Sequence, residues 1–179
     1  MLLAVLAYLI GSLPLGFLLR RANVLHVPSA ALSIGADLFI GVAVAAVLPK
    51  LPFLLSRFGL GFLGYPLTNE AQLGACAIIS AALGHYFSVY ICGWGGLGTA
   101  IIMGGFLILT PYAALSAFGV TSIVLLFSRR MKYASLAGAL ALPFLVRFFY
   151  PLDFIYLGAA LVCALLLVFT HTSFLRIRT

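Results

Sequence analysis

Long apolar segments separated by short basic clusters make up almost the whole chain. A helix that crosses the hydrocarbon core of a bilayer needs about 20 residues, and about 17 at the least. Segments of that length recur at residues 1–19, 33–55, 71–91, 98–127, 133–149 and 154–170. This succession predicts an all-α helix bundle embedded in a membrane.

Charged residues are too few to cover a water-facing surface. They make up 7% of the 179 residues, and hydrophobic residues make up 65%, whereas soluble domains are about 25% charged. No long polar stretch could serve as a linker, so we expect residues 1–179 to form a single integral membrane domain. The net charge of +7 comes from basic residues placed between apolar segments. No basic and aromatic face is present, which argues against binding to nucleic acid.

The number of membrane crossings depends on the segment at residues 98–127. Its 30 residues are too many for one crossing and few for two. Pro111 lies near its middle, and proline disrupts the interior of a helix. We therefore expect two short helices that meet at Pro111, which gives about seven helices in all. The alternative is six crossings, with residues 98–127 as one tilted helix.

The positions of Lys and Arg predict the orientation in the membrane, because cytoplasmic loops carry an excess of them. With seven crossings and the N-terminus outside, seven basic residues are cytoplasmic and three are outside. The cytoplasmic set is Arg20, Arg21, Arg129, Arg130, Lys132, Arg176 and Arg178, and the outer set is Lys50, Arg57 and Arg147. We therefore predict an outside N-terminus and a cytoplasmic C-terminus.

A glycine-rich stretch lies in the connection between the third and fourth helices, on the predicted cytoplasmic side. Residues 84–100 read G-H-Y-F-S-V-Y-I-C-G-W-G-G-L-G-T-A, and a helix is predicted to begin just after Gly98. Glycines let backbone N–H groups approach a ligand closely, and a helix N-terminus can bind an anion such as phosphate. A tight turn between two membrane helices explains the same stretch without a ligand.

Three further features carry polar groups into or beside apolar segments. Residues 11–21 (G-S-L-P-L-G-F-L-L-R-R) indicate helix packing followed by a cationic anchor. Residues 129–137 (R-R-M-K-Y-A-S-L-A) place three cations beside a serine, which could hold a phosphate or a lipid headgroup or simply anchor the helix. Asp37 lies inside the second segment, where a carboxylate is usually functional or paired. No Ser/His/Asp triad is plausible and no Cys/His spacing predicts a metal site, so we expect neither metal nor cofactor.

Taken together, these stretches resemble the bacterial acyl-phosphate:glycerol-3-phosphate acyltransferase (PlsY) family over nearly the whole chain. Residues 11–21 match the family's G-S-I-P-x-G-x-L-L-x-R. Residues 84–100 align without gaps to G-H-x-F-P-V-F-L-x-F-K-G-G-K-G-V-A, and residues 133–137 match Y-V-S-L-A. Residues 37–41 resemble D-x-x-K-G, and His171 stands where the family's tail has H-x-x-N-I. Each match is modest alone, but five in the right order are specific.

The resemblance implies a fold, an activity and a set of site residues. Members of the family are helical proteins of the bacterial inner membrane. They transfer an acyl chain from acyl phosphate to glycerol 3-phosphate, which gives lysophosphatidic acid for phospholipid synthesis. The implied mechanism has no protein nucleophile and relies on positioning and charge stabilisation. These two substrates or related lipids, together with membrane lipids, are the implied partners. The implied phosphate-binding residues are Arg21, Ser29, His85, Gly95, Gly96, Gly98, Ser135 and His171.

The sequence departs from the family pattern mainly at its cations. The two lysines of K-G-G-K-G are Trp94 and Leu97 here, and the lysine of D-x-x-K-G is Ile40. Residues 27–31 keep only Ser29 of the family's G-S-G-N-I-G-A-T-N loop. Removal of one charge-stabilising donor can raise a reaction barrier by about 3–4 kcal/mol. Three interpretations therefore stay open: acylation of glycerol 3-phosphate, acyl transfer to a different acceptor, and a non-catalytic family member that binds a lipid or a phosphorylated ligand.

Overall fold

Seven α-helices and one short β-hairpin make up the described part of the chain. The computed structural model describes residues 2–13, 29–51, 70–90, 93–94 and 98–176. The helices are α1 (Leu2–Gly11), α2 (Ser29–Val47), α3 (Glu70–Tyr86), α4 (Thr99–Leu109), α5 (Pro111–Ser128), α6 (Met131–Phe149) and α7 (Phe154–Arg176). A 3-10 turn (Leu48–Lys50) follows α2, and strands β1 (Phe87–Ser88) and β2 (Gly93–Trp94) pair antiparallel between α3 and α4. The predicted all-α class is confirmed.

Pro111 divides the longest apolar segment, as the sequence predicts. Thr110 leaves helical geometry after α4, and Pro111 is the first residue of α5. Proline is favoured there because its missing N–H would have no partner within the helix. Thr99 and Thr121, which are equally far from Thr110, line one cavity, so α4 and α5 run antiparallel. Since α4 has 11 residues and α5 has 18, α4 begins about 10 Å short of the far end of α5, at about 1.5 Å per residue.

The helix predicted at residues 71–91 is shorter than expected. α3 ends at Tyr86 because the chain then enters the β-hairpin, in which Phe87 pairs with Trp94 and Ser88 pairs with Gly93. Apolar composition alone does not distinguish a short buried strand from the last turn of a membrane helix.

The helices cross where glycines let their backbones approach. Gly11 of α1 and Gly84 of α3 lie against each other's helices, and Gly41 of α2 and Gly104 of α4 do the same at a second crossing. A Cβ atom at any of these four glycines would meet backbone atoms of the partner helix. Small residues at crossings are typical of membrane helix bundles, where close van der Waals packing drives association.

The larger hydrophobic core lies between α3 and the four helices that follow it. Ile78, Phe106, Leu142 and Leu167 are fully buried there. A smaller cluster packs α1 and α2 against the opposite side of α3, which contributes Ala77. α3 is therefore the central helix, and its last residues are fixed by packing from both sides.

Successive helices run in alternating directions through the bundle. At one end the starts of α2, α4 and α6 meet, since Ile34, Thr99 and Met131 line the same cavity; we call this the site end. At the opposite end, the turn after α2 meets the starts of α3 and α7, where Glu70 and Tyr156 line a second cavity. The connections that carry the glycine-rich stretch and the cluster at residues 129–132 therefore both lie at the site end.

The outer surface of the bundle is apolar. Within the described residues, α5 and α6 are each long and apolar enough to cross a bilayer, and α4 and residues 154–170 form shorter apolar helices. Phe127 and Phe144 are 88% and 78% exposed. Water-soluble monomers rarely expose large contiguous apolar patches, so this surface is the one that the sequence predicts for contact with lipid.

Candidate functional site

The glycine-rich stretch is held at the site end by hydrogen bonds to α1. The buried hydroxyl of Ser88 donates to the backbone carbonyl of Ser12 at 2.7 Å. The hydroxyl of Tyr8 donates to the carbonyl of Phe87 at the same distance. Ser12 and Ser88, which are 76 residues apart in the chain, therefore meet, and strand β1 is held against α1.

Gly98 joins the hairpin to α4 in a conformation that requires glycine. Its φ is +64°, and a Cβ atom there would lie 2.8 Å from the Tyr86 ring. Left-handed backbone is strained for other residues, and this ring is 2% exposed and cannot move aside easily. Gly98 has no side chain that could cap the N-terminus of α4, and the first N–H groups of a helix have no acceptor within it.

Two polar atoms at the end of α3 are buried without a hydrogen bond, and one of them, the Tyr86 hydroxyl, lies next to this helix start. Among the described residues, the Tyr86 hydroxyl and the Nε2 atom of His85 make no hydrogen bond. Buried polar groups are nearly always satisfied, so each such exception calls for an explanation. A polar ligand or water at the site end would supply the missing partners.

Asp37 and His85 form a polar pair between α2 and α3. The Asp37 Oδ2 atom lies 3.8 Å from His85 Nε2, and the two side chains are 15% and 10% exposed. This distance is longer than a hydrogen bond, but it is short enough for strong attraction when the imidazole is protonated. The sequence predicts a partner for Asp37, and the structure places His85 beside it, against the middle of α2.

Ser135 lines a cavity of about 110 Å³ at the site end. Its hydroxyl donates to the carbonyl of Lys132 at 3.0 Å. The other hydroxyls in the lining belong to Thr99 and Thr121, and the remaining residues are apolar. Since a water occupies about 30 Å³ in the liquid, the cavity holds a few waters or one small polar group.

Three of the predicted site residues are brought to one end of the bundle. α2 connects them, since Asp37 contacts His85 while the adjacent Leu38 lines the cavity of Ser135. Gly98 directly precedes Thr99, which lines the same cavity.

The structure describes the remaining predicted site residues only in part. Arg21, Gly95 and Gly96 lie outside the described residues, and of Ser29 and His171 the structure describes only the backbone, at the start of α2 and in α7.

Sequence reasoning missed several polar residues of the site end. Tyr8, Tyr86 and Ser88 are part of the hydrogen-bonded or unpartnered set. Thr121 lines the cavity from the middle of α5. The available signal was a polar atom within an apolar run, which in a membrane usually faces the bundle interior.

Comparison with known proteins gives the family of the chain. Residues 1–178 match the glycerol-3-phosphate acyltransferase family. The glycerol-3-phosphate acyltransferase of Syntrophotalea carbinolica is 35% identical over 159 residues, which cover 79% of this chain and 75% of that protein. The glycerol-3-phosphate acyltransferase of Thermosynechococcus vestitus is 31% identical over 194 residues, which cover 96% of this chain and 88% of that protein.

Solved structures share the fold. The crystal structure of PlsY (YgiH), an integral membrane glycerol 3-phosphate acyltransferase, in its glycerol 3-phosphate form superposes with a TM-score of 0.72 at 20% identity, over 98% of this chain and 89% of that one. Its lysophosphatidic acid form gives a TM-score of 0.70. With the family match over nearly its full length, this chain belongs to the glycerol-3-phosphate acyltransferase family.

Proposed function

We propose that this chain is a multi-pass protein of the bacterial inner membrane that transfers an acyl chain from acyl phosphate to glycerol 3-phosphate. The observation that carries the proposal is the meeting of three separate motifs at the site end. His85, Gly98 and Ser135 come from stretches that resemble the family. Asp37 and Leu38 of α2 link His85 to the cavity of Ser135, and that cavity includes Thr99, which follows Gly98 at the start of α4. Family membership supports the reaction class.

The proposed reaction needs groups that bind phosphate and orient two substrates. The acceptor hydroxyl attacks the acyl carbonyl carbon, the bond from that carbon to the phosphate oxygen breaks, and the hydroxyl proton leaves with the phosphate. The N-terminus of α4 supplies partial positive charge and N–H donors for a phosphate. The Tyr86 hydroxyl is a donor, the Ser135 hydroxyl becomes one when its proton turns from the Lys132 carbonyl to the substrate, and Asp37 attracts His85 across 3.8 Å. Arg21, Ser29, Gly95, Gly96 and His171 are expected to complete phosphate binding.

We also propose seven crossings, with the N-terminus outside and the site end in the cytoplasm. The alternating directions of the helices and the exposed apolar side chains support this arrangement. α4 has 11 residues, whereas a full crossing needs about 17, so this helix covers only part of the crossing that we assign to it. Its start would therefore lie below the membrane surface, where a water-soluble acceptor and a lipid-soluble donor can meet.

The test is an acyl-transfer assay on the purified chain with labelled glycerol 3-phosphate and acyl phosphate. Leu97→Lys and Trp94→Lys restore the family's cations one at a time. The control is Leu152→Lys, which adds the same charge away from the site end, at an 86% exposed position between α6 and α7. We expect lysophosphatidic acid from the unaltered chain. A restored cation should raise kcat/KM at least tenfold, since one stabilising donor lowers a barrier by about 3–4 kcal/mol. Absence of product from every form would overturn the proposal.

A second candidate is acyl transfer to an acceptor with less charge. Trp94 and Leu97 stand where the family has lysines, and the described cavity at the site end is lined by hydroxyls and apolar groups. Labelled acyl phosphate with a panel of neutral polyols separates the two candidates, because only this one predicts acylation of a neutral acceptor in preference to glycerol 3-phosphate. Binding of these ligands without turnover by any variant would instead support the non-catalytic alternative.

A further inference from the structure

An apolar groove runs along the outside of the bundle between α6 and α7. It has a volume of about 400 Å³, and its walls include Phe144, Leu161 and Leu165. Along α7 it extends from Leu157 to Val168, which corresponds to about 16 Å at 1.5 Å per residue. One leaflet of a bilayer has a hydrocarbon thickness of about 15 Å, half of the core's roughly 30 Å. The groove therefore has the length of one lipid acyl chain within one leaflet.

Arg147 is the charged residue in the groove lining. One of its nitrogens donates to the carbonyl of Pro151, in the turn between α6 and α7. Among the described residues, no carboxylate lies within salt-bridge distance of it. A guanidinium has five N–H donors, so most of them remain available to a ligand. An uncompensated cation at the mouth of an apolar groove matches an anionic amphiphile in both charge and shape.

We propose that this groove binds an anionic phospholipid of the bilayer, with one acyl chain between α6 and α7 and the headgroup phosphate on Arg147. Arginine suits this role because its planar fork can donate two hydrogen bonds to one phosphate. Arg147 lies in the last turn of α6, whereas Ser135 lies in its first turns. The lipid headgroup is therefore held at the opposite end of the bundle from the candidate acyl-transfer site.

The proposal requires the membrane location but not the acyl-transfer activity, so binding is measured directly. The purified full chain is mixed with equal amounts of phosphatidylglycerol and phosphatidylcholine of matched acyl chains, and bound lipids are counted by native mass spectrometry. Arg147→Gln removes the cation. Lys50→Gln is the matched control, since Lys50 is also exposed and lies at the same end of the bundle as Arg147 but outside the groove. Gel filtration checks that each variant remains folded.

Leu165→Asn introduces a polar side chain into the groove, at a position that is 67% exposed. Its control is Leu126→Asn, which makes the same change on α5, outside the groove, at a position that is 78% exposed. We expect the unaltered chain and Lys50→Gln to retain at least fivefold more phosphatidylglycerol than phosphatidylcholine. Arg147→Gln should reduce this preference to less than twofold. Leu165→Asn should reduce binding of both lipids severalfold, and Leu126→Asn should not.

Three results would overturn the proposal. The first is equal binding of the two lipids by the unaltered chain, and the second is a preference that survives Arg147→Gln. The third is a dimer that dissociates in Leu165→Asn, because the groove would then be covered by a second copy of the chain.

Discussion

Gly98 is the residue at which the start of α4 depends most directly on one side chain. Gly98→Ala places a Cβ atom in left-handed backbone and 3.0 Å or less from the ring and hydroxyl of Tyr86. The backbone strain alone is about 1–2 kcal/mol, and the collision with a buried ring adds to it. We expect a lower thermal unfolding midpoint in detergent and at least a tenfold loss of acyl transfer.

Gly119→Ala is the matched control for this change. Gly119 lies in α5, where nothing stands within 4 Å of an added Cβ atom, and alanine is favoured over glycine in a helix by about 1 kcal/mol. This variant should unfold at or above the midpoint of the unaltered chain. A Gly98→Ala protein that unfolds at the midpoint of the unaltered chain would contradict the assigned conformation. In a Tyr86→Ala background the change at Gly98 should be less destabilising, because the collision is removed.

The contact between Asp37 and His85 gives a second prediction at the level of single residues. Loss of one partner leaves the other buried and uncompensated, and it is expected to destabilise the fold by about 1–3 kcal/mol. Asp37→Asn and His85→Ala should each lower the unfolding midpoint, and the double variant should be more stable than the sum of the two effects implies. Denaturant unfolding of all four forms measures the coupling. Strictly additive effects would show that the two side chains do not interact.

The sequence predicts these residues unevenly, for a physical reason. Asp37 is identifiable because a carboxylate inside an apolar segment needs a partner. His85 as that partner is not identifiable, since hydropathy gives depth along a helix and not the direction in which a side chain points. Tyr86 and Ser88 are missed because their apolar neighbours mask their hydroxyls. Their role depends on contacts with Gly98 and Ser12, which are distant in sequence.

At the level of elements, the crossing of α1 and α3 determines where the glycine-rich hairpin sits. A side chain at Gly84 would meet the carbonyl of Tyr8. Gly84→Leu should therefore push α1 away and weaken the hydrogen bonds from Ser88 and Tyr8 to the opposing backbone. Overpacking of this kind typically costs about 1–3 kcal/mol. We expect a lower unfolding midpoint together with a raised KM.

Gly158→Leu is the control, because a Cβ atom added at that position of α7 meets nothing within 4 Å and the larger side chain starts in open space. It should leave both the midpoint and KM within error of the unaltered values. If Gly84→Leu behaved in the same way, α1 and α3 would not be in backbone contact at this glycine.

Elements with a strong local signal are the ones that the sequence predicts well. Pro111 identifies the break between α4 and α5, because its ring and missing N–H act on the local backbone. The early end of α3 at Tyr86 has no such signal. It follows from the pairing of Phe87 and Ser88 with Gly93 and Trp94, and strand pairing is not encoded in the hydropathy of either strand alone.

For the whole molecule, the low charge of the chain has two consequences that oppose each other. With 7% charged residues, nearly every surface is apolar enough to face lipid, and α5 and α6 expose large aromatic side chains. The same composition leaves the site end with few cations for phosphate. Phosphate binding at the proposed site would then depend on backbone N–H groups, hydroxyls and helix ends, which are donors that hydropathy does not count.

The arrangement in the membrane is the prediction that tests the whole molecule. Single cysteines are introduced at three exposed positions, after the three native cysteines have been replaced by alanine, and intact cells are treated with a membrane-impermeant maleimide. Tyr90→Cys lies in the hairpin, Arg130→Cys lies between α5 and α6, and Leu152→Cys lies between α6 and α7. Seven crossings with the N-terminus outside predict labelling of position 152 in intact cells. They predict labelling of positions 90 and 130 only after lysis.

Six crossings would place positions 90 and 130 on opposite sides, because residues 98–127 would then cross once. Labelling of position 90 or 130, but not both, in intact cells would therefore overturn the seven-crossing arrangement, and labelling of both with protection of position 152 would reverse its orientation.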